Sequence, residues 1–333
     1  MYEQIREKIK GVKESFVKVT EKAKGIFDSN LVKSLNFLDA SPLIDIKNDK
    51  KTFSVGAVDS GFFSDSFVGF DFCFVKISGS VFHYKNGKLE ENKRFPKNPL
   101  AIFFTPDACL QKEEFERYVS IIRIKQELLL ARQIVESNDL DYFLLDGSII
   151  PHPMDRLKKD SEIYKEYQEL ISSYLTLYVA AEKKNTRLIG CVEDSRSNFF
   201  TKKFGLENFN DLIFLNSALN KKQAVNFFRA GEENKILDDL NAHKKVELYI
   251  AYVKVNDYDL PLRIEMIDPC KDAIEIIYFL ASHTKNYSYP SVIIDADLRA
   301  KLSPNEVNTV KAYIEGISNI QGIKKLRRNR RPF

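Results

Sequence analysis

The sequence predicts an α/β protein built on a mixed β-sheet with helices on its faces. An antiparallel group of strands comes first in the chain, and long helices then alternate with single strands. Of the 333 residues, 44% are hydrophobic and 29% are charged, which is enough for one elaborated domain with a substantial core.

The first third of the chain predicts a helix followed by strands. Residues 2–30 carry apolar side chains at helical spacing and predict an amphipathic N-terminal helix. Asn86-Gly87 is a strong signal for a two-residue hairpin turn. Apolar runs on both sides of this turn predict strands over residues 52–58, 66–78, 80–84, 89–95 and 100–105.

The remainder alternates between helical and strand-like segments. Helices are predicted over residues 111–137, 161–184, 272–283 and 304–317, and the polar region 205–245 is predicted to be helical throughout. Ser303 and Glu306 form a capping box at the last helix, with Pro304 in its first turn. Strands are predicted over residues 141–150, 186–192, 246–255, 260–266 and 291–294.

Composition and missing motifs exclude several classes of protein. No apolar run is long enough to cross a membrane, and the charged N-terminus has no signal-peptide core, so we expect a cytoplasmic protein with no membrane partner. The four cysteines form no C-x-x-C pair and predict reduced, buried thiols. The histidine spacing disfavours structural zinc. Nucleotide-binding glycine motifs and the G-x-S-x-G elbow are also absent from the sequence.

Two aspartates share one local pattern. Asp59, predicted to end the first strand, precedes Ser60-Gly61, and Asp146 ends a later apolar run and precedes Gly147-Ser148. If the two strands are neighbours, their spacing of about 4.8 Å brings the carboxylates together, and two such charges need a cation between them. The glycines would let a phosphate approach the backbone closely. The alternative for each motif is an Asx turn that binds nothing.

A third acid, Glu127, lies within the predicted helix 111–137. Its neighbours at helical spacing are apolar, so its carboxylate belongs to the inward stripe of that helix. One interpretation is a metal ligand supplied by a helix that crosses the sheet. The other is a structural salt bridge with Arg123, one turn earlier.

A fourth region is YPSVIIDAD, residues 289–297. Asp297 could supply a further ligand or cap a turn, and Tyr289 could orient a phosphate or a water or pack at the start of a strand. Because this set is rich in acids and poor in histidine, it favours Mn²⁺ or Mg²⁺, as one or two ions. Such ions commonly serve phosphoryl transfer.

These residues resemble the NurA nuclease family, which has an RNase H-like core. The motifs that carry the resemblance are AVDSG (57–61), RIKQE (123–127), LLDGS (144–148) and YPSVIIDAD (289–297). Their order and separations are more specific than any one motif. The resemblance covers residues 50–320 and implies an N-terminal helix and linker over 1–45, a single nuclease domain over 46–320 and a basic tail over 321–333.

The resemblance also implies roles for individual residues. Asp59, Glu127 and Asp146 correspond to the metal-binding acids of the family, and Tyr289 corresponds to its active-site tyrosine. Asp297 stands where relatives carry a histidine, and would complete the metal site. Asp194 is a further candidate acid. Candidates for contact with substrate are Gly61, Arg123, Gly147, Ser148 and Arg196.

The function implied by the resemblance is that of a manganese-stimulated deoxyribonuclease. It would act as a 5′-to-3′ exonuclease and single-strand endonuclease on DNA ends, as a homodimer docked on a HerA-type hexameric ATPase. Two alternatives stay open. One is a non-catalytic subunit that binds DNA or the translocase, and the other is an RNase H-like ribonuclease acting on RNA or hybrids.

Overall fold

The computed structural model describes residues 37–38, 41–47, 51–230 and 235–320, together with seven isolated positions before residue 26. The strands in these residues are β1 (Leu43–Asp45), β2 (Phe53–Phe67), β3 (Phe70–Lys85), β4 (Lys88–Phe95), β5 (Ala101–Phe104), β6 (Tyr142–Asp146), β7 (Arg187–Val192), β8 (Gln223–Arg229), β9 (Tyr249–Lys254) and β10 (Leu262–Met266). The helices are α1 (Lys112–Ser137), α2 (Tyr164–Lys184), α3 (Asp211–Ala218), α4 (Lys235–Asn241), α5 (Lys271–Ala281), α6 (Ser291–Ala300) and α7 (Pro304–Ile320).

The strands form one mixed sheet in the order β1-β8-β9-β10-β7-β6-β2-β3-β4, with β5 also paired to β3. Strands β2, β6 and β7 are parallel neighbours, and the other pairs are antiparallel. Apolar residues of α1 to α4 form the core on one face, and those of α5 and α6 form the core on the other. The predicted mixed sheet flanked by helices is confirmed.

The first strand is longer than the sequence predicted. Asp59 was expected to end it, but β2 continues to Phe67 and pairs along its whole length with β3. The prediction was wrong because Ser60-Gly61 resembles a turn, whereas β3 supplies hydrogen-bonding partners past that point. Only the pairing with β6 stops there, after Val58 and Leu145. One edge of β2 therefore has no β6 partner from Asp59 onward.

Two further expectations about the fold were wrong. Residues 291–294 begin helix α6, because Val292, Ile293, Ala296 and Ala300 form one buried helical face. A short apolar run cannot be assigned to a strand or a helix by its periodicity alone.

The polar region 205–245 is not helical throughout. It contains strand β8 between α3 and α4, and Ala224, Val225, Phe227 and Phe228 are fully buried there. Burial on both faces removes the alternation that would have identified this strand from the sequence.

Several local predictions are confirmed. Asn86 and Gly87 both have positive φ and form the β3–β4 turn. The capping box is formed at α7, where Glu306 accepts from the Ser303 amide at 2.7 Å. Cys73 and Cys191 are buried free thiols, whereas Cys109 is free but exposed, contrary to the expected burial.

Most of the predicted N-terminal helix and all of the basic tail, 321–333, lie outside the described residues. None of the described helices combines the length and the apolar composition that a membrane span needs.

Candidate active site

The site lies where β6 ends beside β2. The parallel register pairs Val58 with Leu145, so the next residues, Asp59 and Asp146, are adjacent across the two strands. The chain then leaves the sheet through Gly147, whose φ of +112° favours glycine. A Cβ on Gly147 would meet nothing within 4 Å. Because β2 continues while β6 stops, Asp59 lies where β2 loses its β6 neighbour.

Glu127 reaches the site from α1, and Ser60 connects it to Asp59. The Ser60 hydroxyl donates to the Glu127 carboxylate, and the Ser60 amide donates to Asp59 Oδ1 at 2.6 Å. Arg123 Nη1 lies 3.7 Å from Glu127 Oε1, so the predicted salt bridge is present. Glu127 is buried, as the inward stripe predicted. Ser60 was missed, because its partner is 67 residues away in sequence.

Tyr289 and Asp297 approach from the face covered by α6. The buried Tyr289 hydroxyl donates to the Asp146 carboxylate and lies 2.9 Å from the carbonyl oxygen of Cys191. Tyr289 stands just before α6, and the predicted strand there was wrong. Asp297 is exposed on α6, and its charge contributes to raising the pKa of Asp59. The structure therefore brings the four predicted acids and the predicted tyrosine close to one another.

When ionised, these carboxylates would carry more negative charge than their surroundings neutralise. Burial raises the pKa of Asp59 to about 8, and the charges of Asp146 and Glu127 add to this effect. Burial also raises the pKa of Glu127 to about 7, although Arg123 and Ser60 oppose it. Burial and the nearby Asp146 charge raise the pKa of the Tyr289 hydroxyl, which keeps it a proton donor. The cluster is thus poised to accept a cation.

The donor set fits a hard divalent ion, because it consists of carboxylate oxygens and contains no thiolate or imidazole. As the side chains stand in the described part of the chain, no three His, Cys, Asp or Glu residues converge closely enough to share an ion. Each central acid instead faces a protein donor: Ser60 for Asp59 and Glu127, and Tyr289 for Asp146. An entering cation would compete with these donors.

The residues predicted to contact substrate lie in different surroundings. Gly147 borders open space, but Gly61 does not, because a Cβ there would lie 2.4 Å from the carbonyl oxygen of Ala300. Gly61 therefore accommodates the end of α6, and its role beside a phosphate stays a prediction. The Ser148 hydroxyl points inward and donates to Glu265 at 2.6 Å, so it too is structural. Arg196 is exposed in the loop after β7.

Asp194, the further candidate acid, is exposed in the same loop as Arg196, with a φ of +47°. It influences the pKa of its neighbour Glu193, which is raised mainly by burial. The charge of Asp146 also acts on Glu193, so this loop borders the acid cluster.

We expect Gly61→Ala to destabilise the protein by about 2 kcal/mol, because the new methyl group would press on backbone that cannot rotate away. Urea unfolding followed by circular dichroism measures this change. Gly316→Ala is the matched control: a Cβ added to Gly316, in α7, would meet no atom within 4 Å, and alanine is the better helix former. Equal midpoints for Gly61→Ala and wild type would contradict this packing role.

A buried ion pair lies behind the site and was missed from the sequence. Arg263 and Glu265, both on β10, are buried and paired with each other. Glu265 also accepts from the Ser148 hydroxyl and, at 3.1 Å, from the Ile149 amide. Arg263 Nη1 donates to Ser195 Oγ at 3.1 Å. The pair therefore connects the loops that follow β6 and β7, next to Asp146. The sequence signal for this pair was the presence of two opposite charges in the otherwise apolar strand LRIEM.

The raised pKa values predict a pH-dependent stability when metal is absent. The folded protein keeps protons on Asp59 and Glu127 that the unfolded chain releases above about pH 4. The free energy of unfolding therefore falls as pH rises, until both groups ionise in the folded protein at about pH 7 to 8. Asp59→Asn should remove much of this pH-dependent loss of stability, because the amide side chain does not titrate. Its free energy of unfolding, relative to wild type, should grow by about 2 kcal/mol between about pH 5.5 and pH 8.5.

Urea unfolding of both proteins in EDTA measures this difference, and other titrating groups cancel in the comparison. Saturating Mn²⁺ should reduce the difference at the higher pH, because the cation stabilises the ionised wild-type cluster. An advantage of Asp59→Asn that is the same at both pH values would show that Asp59 is not held protonated.

Comparison with known proteins supports one family. The NurA domain matches residues 53–302, well over half of the chain. No curated protein matches the sequence.

Among solved structures, the NurA nuclease from Sulfolobus solfataricus is similar with a TM-score of 0.64 and 15% identity, over 96% of this chain and 98% of that one. A NurA bound to dAMP and manganese gives a TM-score of 0.54 and 10% identity, over 92% and 95% of the two chains. At these identities the likeness establishes a shared fold.

Proposed function

The chain belongs to the NurA family, and we propose that it is a metal-dependent nuclease that hydrolyses phosphodiester bonds in DNA. The observation that carries this proposal is the position of Asp59, buried beside Asp146 and Glu127 at one end of the sheet. Two buried carboxylates, from β2 and α1, beside a half-buried one from β6 are costly to keep ionised unless a cation compensates them. A bound Mn²⁺ or Mg²⁺ would offset that cost.

Asp59, Glu127 and Asp146 would hold the cation, with Asp297 on its exposed side. When bound, the cation would supply the positive charge that favours attack of water on the phosphate and stabilises the leaving oxygen. The protein's own contribution is to orient these ligands. Ser60 holds Asp59 and Glu127 in fixed positions, and Tyr289 does the same for Asp146. The open side of Gly147 gives a phosphate room to approach.

The metal preference, substrate, oligomeric state and partner of the proposed enzyme are inferred from its family and belong to the proposal. The enzyme would prefer Mn²⁺, use one or two ions, and act on DNA ends and single strands as a 5′-to-3′ exonuclease and endonuclease. It would work in the cytoplasm as a homodimer with a HerA-type hexameric ATPase as motor, because the chain has no ATP-binding motif of its own. Residues 46–320 would form the nuclease domain, although β1 of the preceding segment 1–45 pairs with β8 in the same sheet. The predicted N-terminal helix, residues 2–30, and the basic tail, 321–333, would contact DNA or the partner.

A cleavage assay with three substrates tests the proposal. Labelled single-stranded DNA, duplex DNA and an RNA–DNA hybrid are incubated with the protein in Mn²⁺, in Mg²⁺ and in EDTA, with and without the candidate motor. We expect cleavage of DNA in Mn²⁺ and none in EDTA. Cleavage of the hybrid alone would favour the ribonuclease alternative, and binding of DNA without any cleavage would favour the non-catalytic subunit.

A further inference from the structure

An exposed aromatic ring stands beside the acid cluster. Phe62 is three residues beyond Asp59 on β2, and 49% of it is exposed. Successive side chains of a strand alternate between faces, so Phe62 shares a face with Ser60, which contacts Glu127, and lies about 7 Å further along the strand. The ring therefore flanks the site on the side covered by α1.

A guanidinium group lies between this ring and the site. The Arg123 guanidinium carbon is 5.9 Å from the centre of the Phe62 ring, and Nη1 is 3.7 Å from Glu127 Oε1. This ion pair is longer than a hydrogen bond. The Arg123 side chain is partly exposed, so N–H groups stay available for another acceptor. The acid, the guanidinium and the ring form a row that runs outward from the site.

Such a row matches the chemistry of one nucleotide. A phosphate accepts hydrogen bonds from a guanidinium, and an unpaired base stacks on an aromatic ring. We propose that Phe62 is a stacking platform for a base next to the scissile phosphate, and that Arg123 contacts the phosphate of the same nucleotide. A base in a duplex is already stacked and paired, so this subsite selects single-stranded DNA. The inference rests on the proposed nuclease function and adds a specificity-determining residue to it.

Kinetics on single-stranded DNA provide the first test. Stacking of a base on the ring favours substrate binding, so Phe62→Leu should raise KM about tenfold, with a much smaller change in kcat. Phe62→Tyr should retain the wild-type KM because it keeps the ring. Phe103→Leu is the matched control, since Phe103 is 46% exposed on β5 and is not part of this row. Its KM should equal that of wild type.

An abasic scan tests stacking directly. A single abasic residue is moved along the labelled strand, and one position should raise the KM of wild type as much as Phe62→Leu does. At that position the KM of Phe62→Leu should not rise further, because the missing base is the one that the ring would contact. Independent losses at every position, or an unchanged KM for Phe62→Leu on a substrate that wild type cleaves, would overturn the stacking role while the nuclease function stands.

A binding assay keeps the test independent of cleavage. The chain contains no tryptophan, so Phe62→Trp places a unique fluorophore at this position. In EDTA, a single-stranded oligothymidylate should quench the emission, whereas a fully abasic strand of equal length should bind with little quenching. Equal quenching by both strands would overturn the inference. If wild type cleaves no DNA under any condition, the proposed function fails, and this assay still decides whether Phe62 stacks on a base.

Discussion

Asp59→Asn is expected to lower the rate of DNA cleavage about 10³-fold without unfolding the protein. The amide has the size of the carboxylate but no charge, so the site would lose one of its proposed ligands for a divalent cation. Stabilisation of several kcal/mol in the transition state depends on that cation, and each 1.4 kcal/mol corresponds to a factor of ten in rate. Stability should be retained, because the substitution relieves repulsion from Asp146 and Glu127.

Single-turnover cleavage of labelled DNA in Mn²⁺ measures this loss, and isothermal titration of Mn²⁺ shows whether it originates in metal binding. Asp295→Asn is the matched control. Asp295 lies on α6, two residues before Asp297, but it accepts from Ser80 and Arg94 and is not among the proposed ligands. Its cleavage rate should stay close to that of wild type. Equal, negligible binding of Mn²⁺ by wild type and by Asp59→Asn would refute the metal site.

The acids predicted from the sequence lie near one another in the structure, although part of the reasoning that grouped them was wrong. Asp59 and Asp146 were placed together on the assumption that both end strands. Only Asp146 does so, and the two meet because β2 and β6 are parallel neighbours in the register Val58 to Leu145. Glu127 followed from helical periodicity, which reports which face of a helix is buried.

Residues that depend on long-range contacts were not predictable in this way. Ser60 is identified only by the approach of α1, and Gly61 only by the end of α6. The sequence had assigned the first residues of that helix, 291–294, to a strand. Phe62 resembled one more apolar residue, because no local pattern in the sequence shows that its ring is exposed. Local patterns report secondary structure and burial, whereas these roles depend on which distant element packs against each face of β2.

The buried pair of Arg263 and Glu265 is the clearest case of such a contact, and its loss should have the largest effect on stability. Glu265→Ala is expected to destabilise the protein by about 3–5 kcal/mol. It leaves the Arg263 charge buried without its partner and removes the acceptor for the Ser148 hydroxyl and the Ile149 amide. Urea unfolding followed by circular dichroism measures the change.

Two comparison variants separate the charge from the packing. Glu265→Gln keeps an acceptor for Ser148 but not the charge, so it should lose less stability than Glu265→Ala and stay measurable if the alanine variant does not fold. Combining Glu265→Leu with Arg263→Met removes both charges, and this double variant should be more stable than Glu265→Ala, because no uncompensated charge remains. Glu169→Ala, which breaks the exposed pair with Lys125, should change stability little. If Glu265→Ala and Glu169→Ala cost the same, the buried pair would not be what holds the loop after Asp146 against the sheet.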